Sequence, residues 1–436
     1  MKVRFTTLGC KLNFAESSAL GKELLLRGHE RAGKNDVPDV CVVNTCSVTD
    51  AADHKDRQTI NQLHRKYPDA IIVVTGCYAQ LQPEQISQIE GVDYVLGQNE
   101  KYDIPALVDT LEAQLLHNST QPLHNSTPSI RVSAIREVEE FHAVRSGDDR
   151  TRCFIKVQDG CNYFCTYCTI PYARGKSRNP RIEEVIKNAQ GAIDEGAKEL
   201  ILTGVNIGDF GRSTGERFID LLRALDNLSP LALSPHRLIA SSPYRIRISS
   251  CEPNLLTDEI IDFVAQSKHF APHFHIPLQS GSNEVLKIMG RRYTRELFAE
   301  RVQHIKHVMP HAFIGVDCMV GVRGETQAYW EDYLEFVKGL DVSQLHVFTY
   351  SERANTRMLE MDLYVVPKAE RQRRSKILHA VSEEKTRAFY EKHANRKAVV
   401  LWESKREGDH MAGFTDNYIK VYRPYDKAKV NTFEEV

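Results

Sequence analysis

The chain has 436 residues, 42% of them hydrophobic and 26% charged, an ordinary globular balance that excludes a disordered tail or a fibre and at this length corresponds to about three domains. With 57 Lys and Arg against 58 Asp and Glu the formal net charge is -1, so no global basic field exists and any nucleic-acid partner has to be held by local patches. Ten unevenly spaced cysteines are too few for a disulfide-built secreted chain, which leaves metal or redox chemistry.

The opening MKVRFTTLGC runs straight into a strand pattern, with neither a long apolar stretch nor a small-residue cleavage site. No stretch reaches the ~18 consecutive apolar residues of a membrane span, so a cytoplasmic protein is expected. In the first hundred residues β-rich runs alternate with helical patterns, as in an open parallel α/β sheet. Three of these runs end alike: KVRFTTLG leads to Cys10, DVCVVNT to Cys46 and AIIVVTG to Cys77. In such sheets the carboxyl ends of the strands face one crevice, so the three thiols can converge although they are distant in sequence. Residues 113–150, with the near-duplicate LHNST-QP-LHNST and a polar stretch ending in RSGDDR, read as a surface connection after a first domain at 1–112.

From 151 to 372 the rhythm lengthens. The runs FIKVQDG, ELILTGVN, RIRISSCEP, HFHIPLQS, AFIGVDCMVG and QLHVFTYS are separated by patterns such as RIEEVIKNAQGAIDEGA and TRELFAERVQHIKHVM, with apolar residues at helical spacing. Six βα units predict a (β/α)6 partial barrel with its chemistry on the loops after the strands. The segment 373–436 is a basic helix followed by short strands. From Arg371 to Val400 nine Lys and Arg stand against three Asp and Glu, the best candidate for a polyanion contact in the chain.

The sharpest signal is Cys161-Asn-Tyr-Phe-Cys165-Thr-Tyr-Cys168, a CxxxCxxC triplet directly after the first strand of the barrel. Three thiolates on one short loop can hold three corners of an iron–sulfur cube and leave one iron open to another ligand. A structural zinc site would need a fourth ligand, and no CxxC or HxxxH partner follows at finger spacing. For Cys10, Cys46 and Cys77 the plain alternative is a small buried hydrophobe at a strand end, weakened by the threefold recurrence. Cys41, Cys153, Cys251 and Cys318 sit inside or beside apolar runs and are expected in the core.

The triplet, with an aromatic before its last cysteine and its place after the first strand of a (β/α)6 domain, resembles the radical S-adenosylmethionine superfamily. The continuation CTIPYARGKSR, the strings LTGVNIGDFG, SSCEP, HFHIPLQSGS, RRYTRE and GFTDNYIKVY, and the three N-terminal cysteines resemble its methylthiotransferases along nearly the whole chain. That resemblance implies two [4Fe-4S] clusters, one on Cys161, Cys165 and Cys168, and an auxiliary one on Cys10, Cys46 and Cys77 associated with the inserted sulfur. The same resemblance implies that S-adenosylmethionine chelates the open iron and is cleaved to a 5′-deoxyadenosyl radical. A second molecule provides the methyl of the methylthio group. Cofactor contacts are implied for Tyr167, Thr203, Gly204, Asn206, Ser249, Glu252 and Gln279, residues that turn or capping roles also explain. Arg174, close to the cluster in sequence, is implied at the catalytic site, with a surface arginine as the alternative. Gly321-Val-Arg-Gly departs from the family's GFPG, which puts cofactor contacts at Val322 and Arg323 in doubt. The strands after Lys397 resemble a TRAM domain, a small RNA-binding β-barrel.

Cys161 to Arg181 holds Arg174, Lys176, Arg178 and Arg181 and no acid, and Val285 to Pro310 holds six Lys and Arg against two acids. Basic charge thus surrounds the expected barrel mouth, as a tRNA substrate requires. The opening LGCKLNFAES resembles the branch acting on N6-threonylcarbamoyladenosine beside the anticodon more than the isopentenyladenosine branch, which reads YGCQMN. The expected partners are the tRNA anticodon stem-loop and an electron donor such as flavodoxin or ferredoxin, with the enzyme a monomer. The competing readings are a methylthiotransferase of isopentenyladenosine or of a ribosomal-protein aspartate, and a non-enzymatic iron–sulfur or zinc RNA-binding protein.

Overall fold

In the computed structural model, which describes residues 1–116, 124, 127–147, 151–228 and 244–436, three sheet systems follow one another along the chain. The first contains β1 (Lys2–Thr7), α1 (Lys11–Leu26), β2 (Glu30–Arg31), β3 (Val40–Thr45), α2 (Asp50–Lys66), β4 (Ile71–Gly76), α3 (Cys77–Leu81), α4 (Pro83–Ser87), β5 (Tyr94–Leu96), α5 (Ile104–Leu116) and β6 (Ser129–Arg131). Its six strands are parallel in the order β2-β1-β3-β4-β5-β6.

β3 and β4, VCVVNT and IIVVTG, are buried along their whole length because helices cover both faces. Successive side chains go to opposite faces. Val40, Val42, Ile71 and Val73 pack with Leu20, Leu24, Leu107 and Val108 of α1 and α5, whereas Cys41, Val43, Ile72 and Val74 pack with Ile60 of α2 and Ile86 of α4. Strand order reverses between β1 and β3, so a crevice opens at the carboxyl ends of the strands that lead to Cys10, Cys46 and Cys77. The stretch read as a connection, 113–150, supplies the edge strand β6, paired through Ser129, Ile130 and Arg131. The LHNST repeats lie largely outside the described residues.

The second system contains β7 (Arg152–Lys156), α6 (Ile170–Arg174), α7 (Ile182–Asp194), β8 (Glu199–Thr203), α8 (Phe218–Asp226), β9 (Arg245–Ile248), α9 (Asp258–Gln266), β10 (His273–Gln279), α10 (Asn283–Ile288), α11 (Arg295–Val308), β11 (Phe313–Val320), α12 (Gln327–Gly339), β12 (Gln344–Thr349), α13 (Arg357–Glu360) and α14 (Lys368–His393). Two parallel three-stranded sheets, β7-β8-β9 and β10-β11-β12, join through the bridges Ile246 to Phe270 and Ser250 to His275. The result is the expected six-stranded partial barrel. Cys153, Ile155, Val157, Leu200 and Leu202 point outward into the helix-packed core. Phe154 and Ile201 point the other way, into the lumen, where they meet Phe14 and Ala15 of α1. Phe14 and Phe154 form an edge-to-face pair with centroids 5.7 Å apart, so α1 is wedged against the lumen wall.

The basic α14 does not stand apart with the tail: its Leu378 and Val381 join the barrel core, and Ser382 donates to the Leu345 carbonyl of β12 at 2.9 Å. The last system is a curled antiparallel sheet, β13 (Val399–Glu407), β14 (His410–Phe414), β15 (Lys420–Pro424) and β16 (Phe433–Glu435), in the order β15-β14-β13-β16. Its turn after β14 closes the amino end of the barrel strands. Arg247 donates to the Asp416 carbonyl at 3.0 Å and lies over the Tyr418 ring, while Arg152 lies over Phe414. Cys41, Cys153, Cys251 and Cys318 are core residues. Among the described residues no helix is long and apolar enough to cross a membrane.

Candidate active site

Two sets of three thiols lie at the carboxyl ends of strands of the first two sheets. In the N-terminal sheet Cys10 caps α1, and Cys46 and Cys77 directly follow β3 and β4. Gly9 has φ 95°, and a Cβ there would lie 2.6 Å from the Cβ of Cys46 and 2.9 Å from its Sγ, so the bare glycine lets the Cys46 thiol sit beside Cys10. Asn13 ties the two loops together by donating to the Leu8 and Thr45 carbonyls at 3.0 and 2.9 Å. Gln98 donates to the Cys77 Sγ at 3.3 Å. Burial pushes the Cys46 thiol up to about 12, with Cys77 and Cys10 adding to the rise. A thiolate set of this kind needs a positive partner.

That positive charge stands behind the thiols. Glu16 of α1 accepts from Arg174 at 3.1 Å, Lys101 at 2.6 Å and Lys156 at 3.1 Å, and Asp159 from Arg174 at 3.0 Å, Lys156 at 2.7 Å and Arg178 at 3.3 Å. Arg174 also donates to the Asn13 Oδ1. Four cations thus share two carboxylates, and Arg174 and Lys101 both act on Cys77. An anionic cluster on Cys10, Cys46 and Cys77 fits this surplus. Arg174 is therefore neither a surface arginine nor free to meet a substrate carboxylate; it joins α6 to α1 behind the thiols. Burial alone would raise the Glu16 carboxyl, but Arg174, Lys101 and Lys156 outweigh it and hold it well below its ordinary 4.5. Glu16 to Ala leaves these cations buried and short of a partner, so unfolding free energy falls by about 3–5 kcal/mol in urea titration. Because the folded value is depressed, the stabilisation by Glu16 is complete above about pH 4.5 and is lost as pH falls through the folded value. A difference between wild type and variant that did not narrow on acidification would contradict this.

The second set lies on the loop after β7. Phe164 adopts φ 51° there, and Gln158 clamps the loop: it donates to the Gly160 carbonyl at 2.7 Å and accepts from Val205 and Asn206 after β8 at 2.9 and 2.8 Å. Each thiol accepts an N–H bond: Cys161 from the Tyr163 amide and Cys168 from the Ile170 amide, both at 3.5 Å, and Cys165 from the Arg291 guanidinium at 3.2 Å. N–H donors aimed at sulfur suit thiolate ligands of a cluster. Burial pushes Cys161 up to about 11 and Cys168 up to about 12, and the thiols raise one another. Among the described residues no three His, Cys, Asp or Glu side chains are set for a single metal ion, so the fit rests on these donors and the buried charge.

The implied cofactor residues gather at the same end of the barrel. Thr203 ends β8 and is buried, and a Cβ on Gly204 would come within 2.8 Å of the Gln158 carbonyl. Both polar atoms of the Asn206 side chain, Ser249 Oγ and Gln279 Oε1 are buried without a partner, groups that a polar cofactor would satisfy. Gln279 is held at φ 65°. Glu252 is paired with Arg291, which also reaches the Tyr167 hydroxyl at 3.4 Å. Arg291, which holds Cys165 and Glu252, and Gln158, which clamps the thiol loop, are not among the sequence candidates; the string RRYTRE and the basic stretch around it carry the sequence signal of the former. Val322 is buried among Val285, Met289, Tyr350 and Met358, under Tyr167, and Arg323 pairs with Glu352 at 2.9 Å, so the departure from GFPG is taken up by apolar packing and a peripheral ion pair.

The loops that follow Cys168 and Cys46 touch. The Thr169 hydroxyl, next to Cys168, donates to the carbonyl of Ser47, next to Cys46, at 3.4 Å. A cavity of about 200 Å³ is lined by Val48, Thr49, Tyr167, Cys168, Gln279 and Asp317, among others.

Residues 2–97 match the uncharacterized protein family UPF0004, and residues 155–337 match the Radical SAM superfamily. The chain is 37% identical to the threonylcarbamoyladenosine tRNA methylthiotransferase MtaB of Bacillus subtilis, over 96% of this chain and 89% of that one. It is 31% identical to the tRNA-2-methylthio-N(6)-dimethylallyladenosine synthase of Pelotomaculum thermopropionicum, over 85% and 80%. Among solved structures, the radical S-adenosylmethionine methyltransferase TsrM of Kitasatospora setae superposes with a TM-score of 0.56 at 16% identity, over 79% of this chain and 72% of that one, a likeness of fold.

Proposed function

Since the chain belongs to the radical S-adenosylmethionine methylthiotransferases, we propose that it converts N6-threonylcarbamoyladenosine at position 37 of tRNA, beside the anticodon, to its 2-methylthio derivative. The observation that supports this reading is the pair of three-thiol sites whose loops touch at the Thr169–Ser47 contact, because a radical source and a sulfur donor must reach the same carbon. Cys161, Cys165 and Cys168 hold one [4Fe-4S] cluster and Cys10, Cys46 and Cys77 the other. When bound, the clusters and S-adenosylmethionine supply the hydrogen-abstracting radical, the sulfur and the methyl group.

This chain's residues do the placing. Asn206, Ser249 and Gln279 offer unpaired polar atoms to the cofactor, Tyr167 and Thr203 border it, and Glu252 is fixed by Arg291. The nearer likeness to a threonylcarbamoyladenosine enzyme than to a dimethylallyladenosine one, with the opening GCK, supports the choice of base. The tRNA anticodon stem-loop is gripped by the exposed Lys176, Arg181, Lys287 and Arg292 on the loops around the barrel and by the C-terminal sheet, whereas Arg174, Arg178 and Arg291 are spent in buried ion pairs. A flavodoxin or ferredoxin supplies the electron, and the enzyme works as a cytoplasmic monomer.

Arg291 is a positioning residue. Arg291 to Met removes the donor to Cys165 and leaves Glu252 buried without its partner, so 5′-deoxyadenosine formation drops about 10- to 100-fold with iron content retained. Arg291 to Lys restores part of the rate. Unchanged turnover in the Met variant would contradict the role. The proposed reaction is tested with reconstituted protein and an anticodon stem-loop carrying threonylcarbamoyladenosine: a methylthio nucleoside by mass spectrometry is expected, and cofactor cleavage without any methylthio product would overturn the reading.

A further inference from the structure

Lys11 follows Cys10 directly and opens α1, whose Phe14 and Ala15 lie against the lumen-facing Phe154 and Ile201. The charged groups that act on it most strongly are Arg247, Arg152, Glu199 and Asp317, and it also acts on His273 and His346. Those residues belong to all six barrel strands, so the Lys11 ammonium stands in the lumen. It is nonetheless exposed to solvent, and it forms no hydrogen bond or ion pair among the described residues.

The nearby carboxylates are already engaged. Glu199 accepts from Arg247 at 3.0 Å and also from Arg245, and Asp317 accepts from His275 at 2.7 Å. The other cations have partners: Arg152 pairs with Glu403 at 2.8 Å, and Arg247 also holds the carbonyl of Asp416. Among the described residues Lys11 is the lumen cation left over. It borders the auxiliary thiols through Cys10, and Asp317 is common to its surroundings and to the cavity lined by Cys168, Tyr167 and Gln279. A second group in the lumen is also unsatisfied, since the Nδ1 of the buried His273 lacks a partner. An unpaired ammonium in a cavity with no free carboxylate selects an anionic ligand.

We propose that Lys11 is the receptor for a carboxylate on the substrate, the one at the end of the N6-threonylcarbamoyl arm. The inference rests on the reading of the substrate given above and adds the residue that distinguishes this base from one with a neutral hydrocarbon arm. Lys11 is then a specificity-determining residue: it binds a part of the substrate remote from the reacting carbon, and its loss is felt only by substrates that carry the charge.

The test uses the full chain with both clusters reconstituted and two anticodon stem-loops, one with the free threonyl acid and one with its methyl ester. Wild type is expected to prefer the acid. Lys11→Gln loses about 10- to 100-fold in kcat/KM on the acid and little on the ester, so the preference collapses, whereas Lys11→Arg keeps it. Iron and sulfide content, unchanged in both variants, shows that the neighbouring Cys10 still holds its cluster. A Gln variant that keeps the preference, or that loses acid and ester equally, overturns the inference and leaves the proposed function standing. A wild type that methylthiolates neither RNA but does act on one with a dimethylallyl arm overturns the proposed substrate, and this inference with it.

Discussion

Replacing Cys161, Cys165 or Cys168 with Ala abolishes 5′-deoxyadenosine release altogether. Each thiol is one of three on a single loop, each accepts a single N–H bond, and none has a neighbouring cysteine to take its place: Cys153 and Cys251 are turned into the helix-packed core. Loss of any one leaves two thiolates for the cluster proposed on this loop, which needs three, and the open iron that would take the cofactor would go with it. The expected signs are iron content falling from about eight to about four per chain and no cofactor cleavage under reducing conditions. Activity persisting in all three variants would remove the cluster from this loop.

The second large effect separates the two halves of the chemistry. Cys46→Ala breaks the site at the crevice of the N-terminal sheet, where Gly9 and Asn13 hold Cys46 beside Cys10. It leaves the loop after β7, Arg291 and the unpaired Asn206, Ser249 and Gln279 untouched. Cofactor cleavage therefore continues, while methylthio product falls below detection. Iron again drops to about four per chain, now with the cleaving cluster retained. A Cys46 variant that still inserts sulfur would show that these three thiols are not the sulfur site. One that loses cleavage as well would show that the two sites depend on each other, through Glu16 and Arg174.

What the sequence disclosed follows from periodicity and local chemistry. Strands flanked by helices set the two parallel sheets, and three cysteines at equivalent strand ends marked a crevice because strand order reverses there. Other features have no local signature. β6 is a three-residue edge strand, too short to show a period, inside a polar stretch that reads as a connection. α14 looks like a solvated basic helix because its apolar contacts with the barrel are few along its 26 residues. The Glu16 network joins residues from α1, α6, β7 and the segment before α5, and Arg291 lies more than a hundred residues from the Cys165 it serves. Pairings of that kind are made by the fold, and only a structure places them. Lys11 is legible as part of a motif, but its position in the lumen depends on α1 lying against Phe154 and Ile201.

The two three-thiol sites, whose loops touch at the Thr169–Ser47 contact, are proposed to carry out radical sulfur insertion into an adenosine of tRNA. The most direct measurement is mass spectrometry of tRNA nucleosides from cells lacking this protein and from the same cells supplied with wild type or Cys46→Ala. Loss of the 2-methylthio form of N6-threonylcarbamoyladenosine, its unmethylthiolated precursor accumulating, with recovery by wild type alone, is the result this account predicts; an unchanged methylthio-nucleoside profile in the cells lacking the protein would contradict it.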